Sequence, residues 1–318
     1  MKMNLLKFFA FTSLLLASFG CQSKRSCDDV ICQTYVHRYG VPLDPDEWSE
    51  RGRHGRVVST RRDGVVVSNS YEGGVLHGET TYTFPHREVI QKRESYCQGQ
   101  LEKEMWNYQN GIPQRQVIYD EPHRHTAIVW YENGAPQCKE EYHQGRLAKG
   151  EYYNLSNETE SRIDDCAGIR MQRDGYGNLT SIDEINDGQM VLRTTYHPNG
   201  LPEALTPYIN NEVQGQRRTY TLGGEPATIE EWKGGRQHGN TIIFENGERR
   251  SDLPYVNGQP HGIEQRYREG QILAQRNTWV KGEKHGPCHT YVKDITQTDW
   301  YFQGKLVNKP TFDALSNQ

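Results

Sequence analysis

The sequence predicts an all-β protein, an elongated antiparallel β-meander of tandem hairpins, largely one layer thick. Three observations predict it. An aromatic residue followed three positions later by Gly occurs twelve times, from Tyr71-Glu72-Gly73-Gly74 to Tyr301-Phe302-Gln303-Gly304, whereas 33 aromatics and 31 Gly in 318 positions would give about three by chance. From Trp232 to Trp279 the aromatics advance in steps of 12, 11, 12 and 12, the length of one short strand plus a turn. The mature chain shows no sustained helical period.

The first element is an export signal. Lys2 and Lys7 supply positive charge, Leu5, Leu6, Phe8 to Phe11 and Leu14 to Leu16 form an apolar run too short to span a bilayer, and small residues precede Cys21. The segment Leu16-Ala17-Ser18-Phe19-Gly20-Cys21 resembles a bacterial lipobox, with Ser18 and Phe19 where an aliphatic and a small residue are usual. The resemblance implies that residues 1–20 are removed, that Cys21 is lipidated, and that the protein is exported and anchored to a membrane, with Gln22 favouring the outer one. The other reading of the same residues is an ordinary signal peptide cut near Gly20. Residues 21–50, polar with Pro42 and Pro45, read as a tether. Cys27 and Cys32 are near enough for a local disulfide, although six cysteines beyond Cys21 allow 15 pairings and free thiols fit equally well.

The repeat array follows over 51–309, with a tail at 310–318. Asn-Gly and Asp-Gly pairs, such as Asn110-Gly111, Asn199-Gly200 and Asn257-Gly258, accept positive φ and predict tight turns between about 20 strands. A second motif sets the unit. His54-Gly55, His77-Gly78, His238-Gly239, His261-Gly262 and His285-Gly286 recur, neighbouring copies lying 23 or 24 residues apart. The repeat is therefore a two-strand hairpin.

The unit Tyr-x-x-Gly-x-x-His-Gly resembles the MORN repeat, in the bacterial variant of YwqK-like proteins, over residues 71–82 and 196–304 and less closely over 96–153. The resemblance degenerates over 154–195, where Gly175-Tyr176-Gly177-Asn178-Leu179-Thr180 is more similar to an Rhs/YD repeat. It implies a single-layer sheet used for contacts with proteins or membranes.

Composition narrows the function. A net charge of -4 gives no reason to expect nucleic acid as a partner. Apolar content, recounted with Gly and without Tyr, is about 38%, below the usual ~45–50%, which fits a thin sheet better than a deep core. No zinc-protease helix, nucleophile elbow or phosphate loop is present. His77, His238, His261 and His285, with Gly78, Gly239, Gly262 and Gly286, read as repeat structure, since copies on successive hairpins do not surround one point. His123 and His125 lack a third ligand, and Cys288-His289 point to opposite faces of a strand. No catalytic residue, metal or cofactor is expected. The expectation is a protein-binding scaffold of the cell envelope, taking a protein or cell-wall ligand. An immunity protein of a toxin system is the alternative, and a hydrolase the third reading. Trp232, Tyr255, Tyr267 and Trp279 recur at one place in the unit and read as packing. That leaves Arg236, Arg249, Arg266 and Arg268 as candidate binding residues on the opposite face.

Overall fold

The computed structural model describes residues 29–317, which form one open antiparallel meander of 28 strands, with 66% of the chain in strand and 5% in helix. The expected all-β, elongated fold is present. Residues 1–20, Cys21 and Cys27 lie outside the described residues, so neither the anchor nor the Cys27–Cys32 pairing is addressed by this structure.

The two long edges of the sheet are built differently. Along one edge, successive hairpins close with two-residue turns in which both residues have positive φ: Gln98-Gly99, Gln144-Gly145, Asn257-Gly258, Lys281-Gly282 and Gln303-Gly304. This is the type I′ geometry that matches strand twist. Along the other edge the connections are often longer. At Asn110-Gly111, Asn133-Gly134 and Asn199-Gly200 only the Gly has positive φ, while the Asn side chain accepts the N–H two residues on. The dipeptide expected to make tight turns thus has two uses. On this loop edge Gly is needed for close approach as well: a Cβ on Gly177 would lie 2.4 Å from Leu155 Cδ1 of the preceding loop.

The His-Gly dipeptides fall where the ladder is broken. Pairing skips from Leu76 to Gly78 around His77, and from Pro260 to Gly262 around His261. The Gly residues take φ from +87° to +139°, which L side chains rarely adopt. These bulges split strands into short pieces such as Val75–Leu76 and Gln259–Pro260, one reason the strand count exceeds 20.

One face is curled inward. Thr80, Glu94, Glu104, Val117, Ala127, Glu140, Gly150 and Ile163 stand directly opposite one another on successive strands, and most are buried. Three strands of a flat sheet would separate the backbones at Gln137 and Arg173, and at Glu140 and Arg170, by about 14 Å, beyond the reach of one glutamine side chain. Instead Gln137 Nε2 donates to the Arg173 carbonyl at 2.6 Å, and the Glu140 and Arg170 side chains meet at 2.9 Å. The curl is marked over the segment that reads as degenerate. There Leu147, Tyr152, Ile163 and Ile185 form an apolar core with Met171 and Met190. Few aromatic repeats are needed where aliphatics fill the concavity.

The two ends also depart from expectation. Residues read as tether are folded from Val30 onward: Val30–His37 pairs with Gly55–Arg61, and Trp48 of the helix Pro45–Glu50 packs beside Leu43 and Val57. The tail forms the helix Lys309–Ser316, whose Phe312 ring lies against Trp300, Phe302 and His285.

Candidate binding surface

A type I′ turn leaves the N–H groups of its two central residues pointing away from its own hairpin. At six turns of this array the preceding hairpin satisfies both. The first turn residue donates to a histidine Nδ1: Gly73 to His54 (3.1 Å), Gln98 to His77 (3.3 Å), and Asn257, Lys281 and Gln303 to His238, His261 and His285 (3.4 Å each). The second turn residue donates to the carbonyl just before that histidine, as Gly99 does to Leu76 (2.8 Å) and Gly282 to Pro260 (2.9 Å). Each His-Gly pair is therefore one half of a latch on the next hairpin. Because Nδ1 accepts, the ring proton of each imidazole sits on Nε2. A sixth latch escaped the sequence reading. Gln214 Oε1 accepts from Gly234 at 2.9 Å, and the Val213 carbonyl accepts from Gly235. Gln214-Gly215 lies in phase with the motif, and that spacing was the signal available.

The inner face holds a line of carboxylates engaged by their own neighbours. Glu140 accepts from the Tyr142 and Tyr152 hydroxyls at 2.7 and 2.8 Å. Burial and the nearby carboxylate push both phenols far up and Cys138 up to about 12. Glu264, 2% exposed, accepts from Arg266, Ser251, Asn277 and Trp279. Burial opposes its ionisation, but the Arg266, Asn277 and Trp279 donors outweigh that and hold its pKa below the ordinary value. Glu230 is held low in the same way against burial, by Trp232, Thr228 and Arg217. Trp232 and Trp279 thus belong to the inner face as packing and as donors. Tyr267 does not, since its hydroxyl donates to Asp252 and Gln265 on the outer face.

The four candidate arginines do not form one group. Arg236 opens the strand Arg236–Glu245 at the tight-turn edge. Arg249 is on the outer face, stacked 5.0 Å over Tyr267 and paired with Asp252. Arg266 is on the inner side with buried Glu264, so it is a structural partner as much as a surface charge. The expected common face fails because ladder irregularities, such as that between Ile243 and Phe244, shift the alternation of the flanking strands. Arg266 and Arg268 do come together, joined by Arg250, which sequence reasoning missed. The three line a shallow groove at the loop edge with Gln275, Thr290 and Tyr291. Arg250 donates to the Tyr267 carbonyl (3.2 Å) and lies 3.2 Å from Glu245, and Arg268 donates to the Tyr291 carbonyl (3.0 Å).

The remaining chemical candidates are separated. His125 stacks on Tyr142 at 4.7 Å while His123 occupies a turn with φ +78°. Cys288 is buried, and His289 turns away to Thr298 at 3.0 Å. Among the described residues no group of three or more His, Cys, Asp or Glu is placed to hold a metal ion.

No family model matches the chain, and no curated protein does. Fifty-four chains of solved structures match. One, from the crystal structure of TcdB2-TccC3, is 11% identical over 84% of this chain and 21% of that chain, with a TM-score of 0.16. Another, from the Photorhabdus luminescens Tc holotoxin pore carrying a TccC3 mutation, is 11% identical over 86% of this chain and 20% of that chain, with a TM-score of 0.15. This chain spans about a fifth of their length. At such TM-scores the superpositions carry no argument about it.

Proposed function

We propose that the chain is an exported, lipid-anchored scaffold of the cell envelope, of the MORN-like kind, which binds an acidic protein segment along its loop edge. The observation that carries this reading is the groove of Arg250, Arg266 and Arg268. Inner-face carboxylates and aromatics are engaged with one another, and Arg266 with Glu264, whereas the Arg250 and Arg268 guanidiniums reach the surface of an open sheet with donors to spare. A groove built from side chains on successive strands suits an extended partner.

The test is paired. Charge reversal at Arg250 and Arg268 should abolish capture of an envelope partner and leave the melting temperature nearly unchanged. Arg266 is left out because reversal would set a second carboxylate against Glu264. Undiminished capture by this variant would remove the groove from the account. The anchor is tested separately: a fatty-acid analogue should label the wild type but not Cys21→Ser, and equal labelling would refute lipidation at that residue.

A further inference from the structure

A second cationic depression lies at the opposite end of the array, where the first hairpins meet. It is lined by His37, Arg38, His54, Arg56, Glu72 and His77. Three features of its chemistry converge. His54 accepts the Gly73 N–H at Nδ1, so its Nε2 is a donor. His77 accepts from Gln98 in the same way, and its Nε2 lies 3.5 Å from Glu72, which engages the one carboxylate of the lining. Arg38 and Arg56 are exposed, and among the described residues neither has a carboxylate within 4.0 Å. The Arg38 guanidinium donates to the adjacent Tyr39 hydroxyl at 3.1 Å and lies 5.0 Å over that ring, which leaves its other N–H groups for a ligand. The lining therefore holds two arginines without a carboxylate partner and an imidazole N–H, around a cleft whose one carboxylate is already taken. Donor-rich and acceptor-poor, it matches an oxyanion, and guanidinium forks match the tetrahedral oxygens of phosphate in particular.

We propose that this cleft binds a phosphate group. The strand that carries His37 begins at Val30, so the cleft belongs to the hairpins nearest the N-terminus, where the phosphate of an anionic lipid headgroup would be presented if that end sits at a membrane. The site is separate from the loop-edge groove and does not depend on lipidation of Cys21.

The experiment uses the full chain, titrated with inorganic phosphate by calorimetry and with vesicles of phosphatidylglycerol or phosphatidylcholine by sedimentation. Wild type should bind phosphate saturably and prefer phosphatidylglycerol vesicles, and Arg38→Ala/Arg56→Ala should weaken both by about tenfold or more, the loss of two charge-assisted contacts. Comparing variants with the same N-terminus cancels any contribution of residues 1–28. Phosphate binding without a vesicle preference keeps the site and makes its ligand soluble. The single variants Arg38→Gln and Arg56→Gln, each expected to weaken binding, replace the double variant should its melting temperature fall. Binding unchanged in these variants, or lost in Arg250→Ala/Arg268→Ala instead, overturns the proposal.

Discussion

Glu264 shows how a single residue can be functional in appearance and structural in role. A buried carboxylate among Arg, Trp, Asn and Ser would draw attention in an enzyme, yet every donor around it comes from its own or a neighbouring strand. Its pKa, and that of Glu230, lie below the ordinary carboxylate value in the fold. Such groups contribute stability that is present above the unfolded pKa of about 4.3 and is lost as pH falls through the lowered folded value. Unfolding measured against pH should therefore show stability declining below about pH 4.5, with a shallower decline in Glu264→Gln. Glu264→Ala should cost about 1–3 kcal/mol at neutral pH, because it strands the Asn277 amide and the indole N–H of Trp279 while half-exposed Arg266 turns to water. The residue types were visible in the sequence. Their sharing of one carboxylate was not, since it requires knowing which of several aromatics faces inward.

At the scale of the hairpin, the His-Gly pair joins a bulge to an acceptor. His261→Ala should lower stability by about 1 kcal/mol in urea titration, the worth of one exposed bond, whereas His261→Gln should keep most of it because Gln214 makes the same bond to Gly234. Gly262→Ala should cost more, about 1–3 kcal/mol, since φ is +111° and a Cβ would meet the Pro254 ring at 3.1 Å. Periodicity made these elements legible: type, spacing and most turns follow from the 23-residue step. The edges were not legible, because the 12-residue aromatic step merges two rows, Trp232, Tyr255 and Trp279 at the tight-turn edge and Phe244, Tyr267 and Tyr291 at the other. Nor was the face of each arginine, since a bulge resets alternation locally. Arg250 was missed for that reason.

For the whole molecule, lateral latches make a chain of hairpins into one array in which each unit holds the next, as in other repeat architectures. The loop edge contributes its own series: the Tyr108 and Tyr131 hydroxyls donate to the carbonyls of Trp130 and Tyr153, and Asn199 donates to Leu222. The stretch 154–195 lost the aromatic motif yet kept the array, because Asp165-Cys166 and Asp187-Gly188 preserve the turns and a tighter curl buries aliphatics. Joining of hairpin to hairpin through the turns is the central claim, and amide hydrogen exchange over the full chain tests it most directly. The amides of Gly73, Gln98, Gly234, Asn257, Lys281 and Gln303 should exchange more slowly than those of exposed loop-edge residues such as Leu222, and His261→Ala should release Lys281 while leaving Gln98 protected. Exchange of all six at the rate of open loops would contradict the latched array.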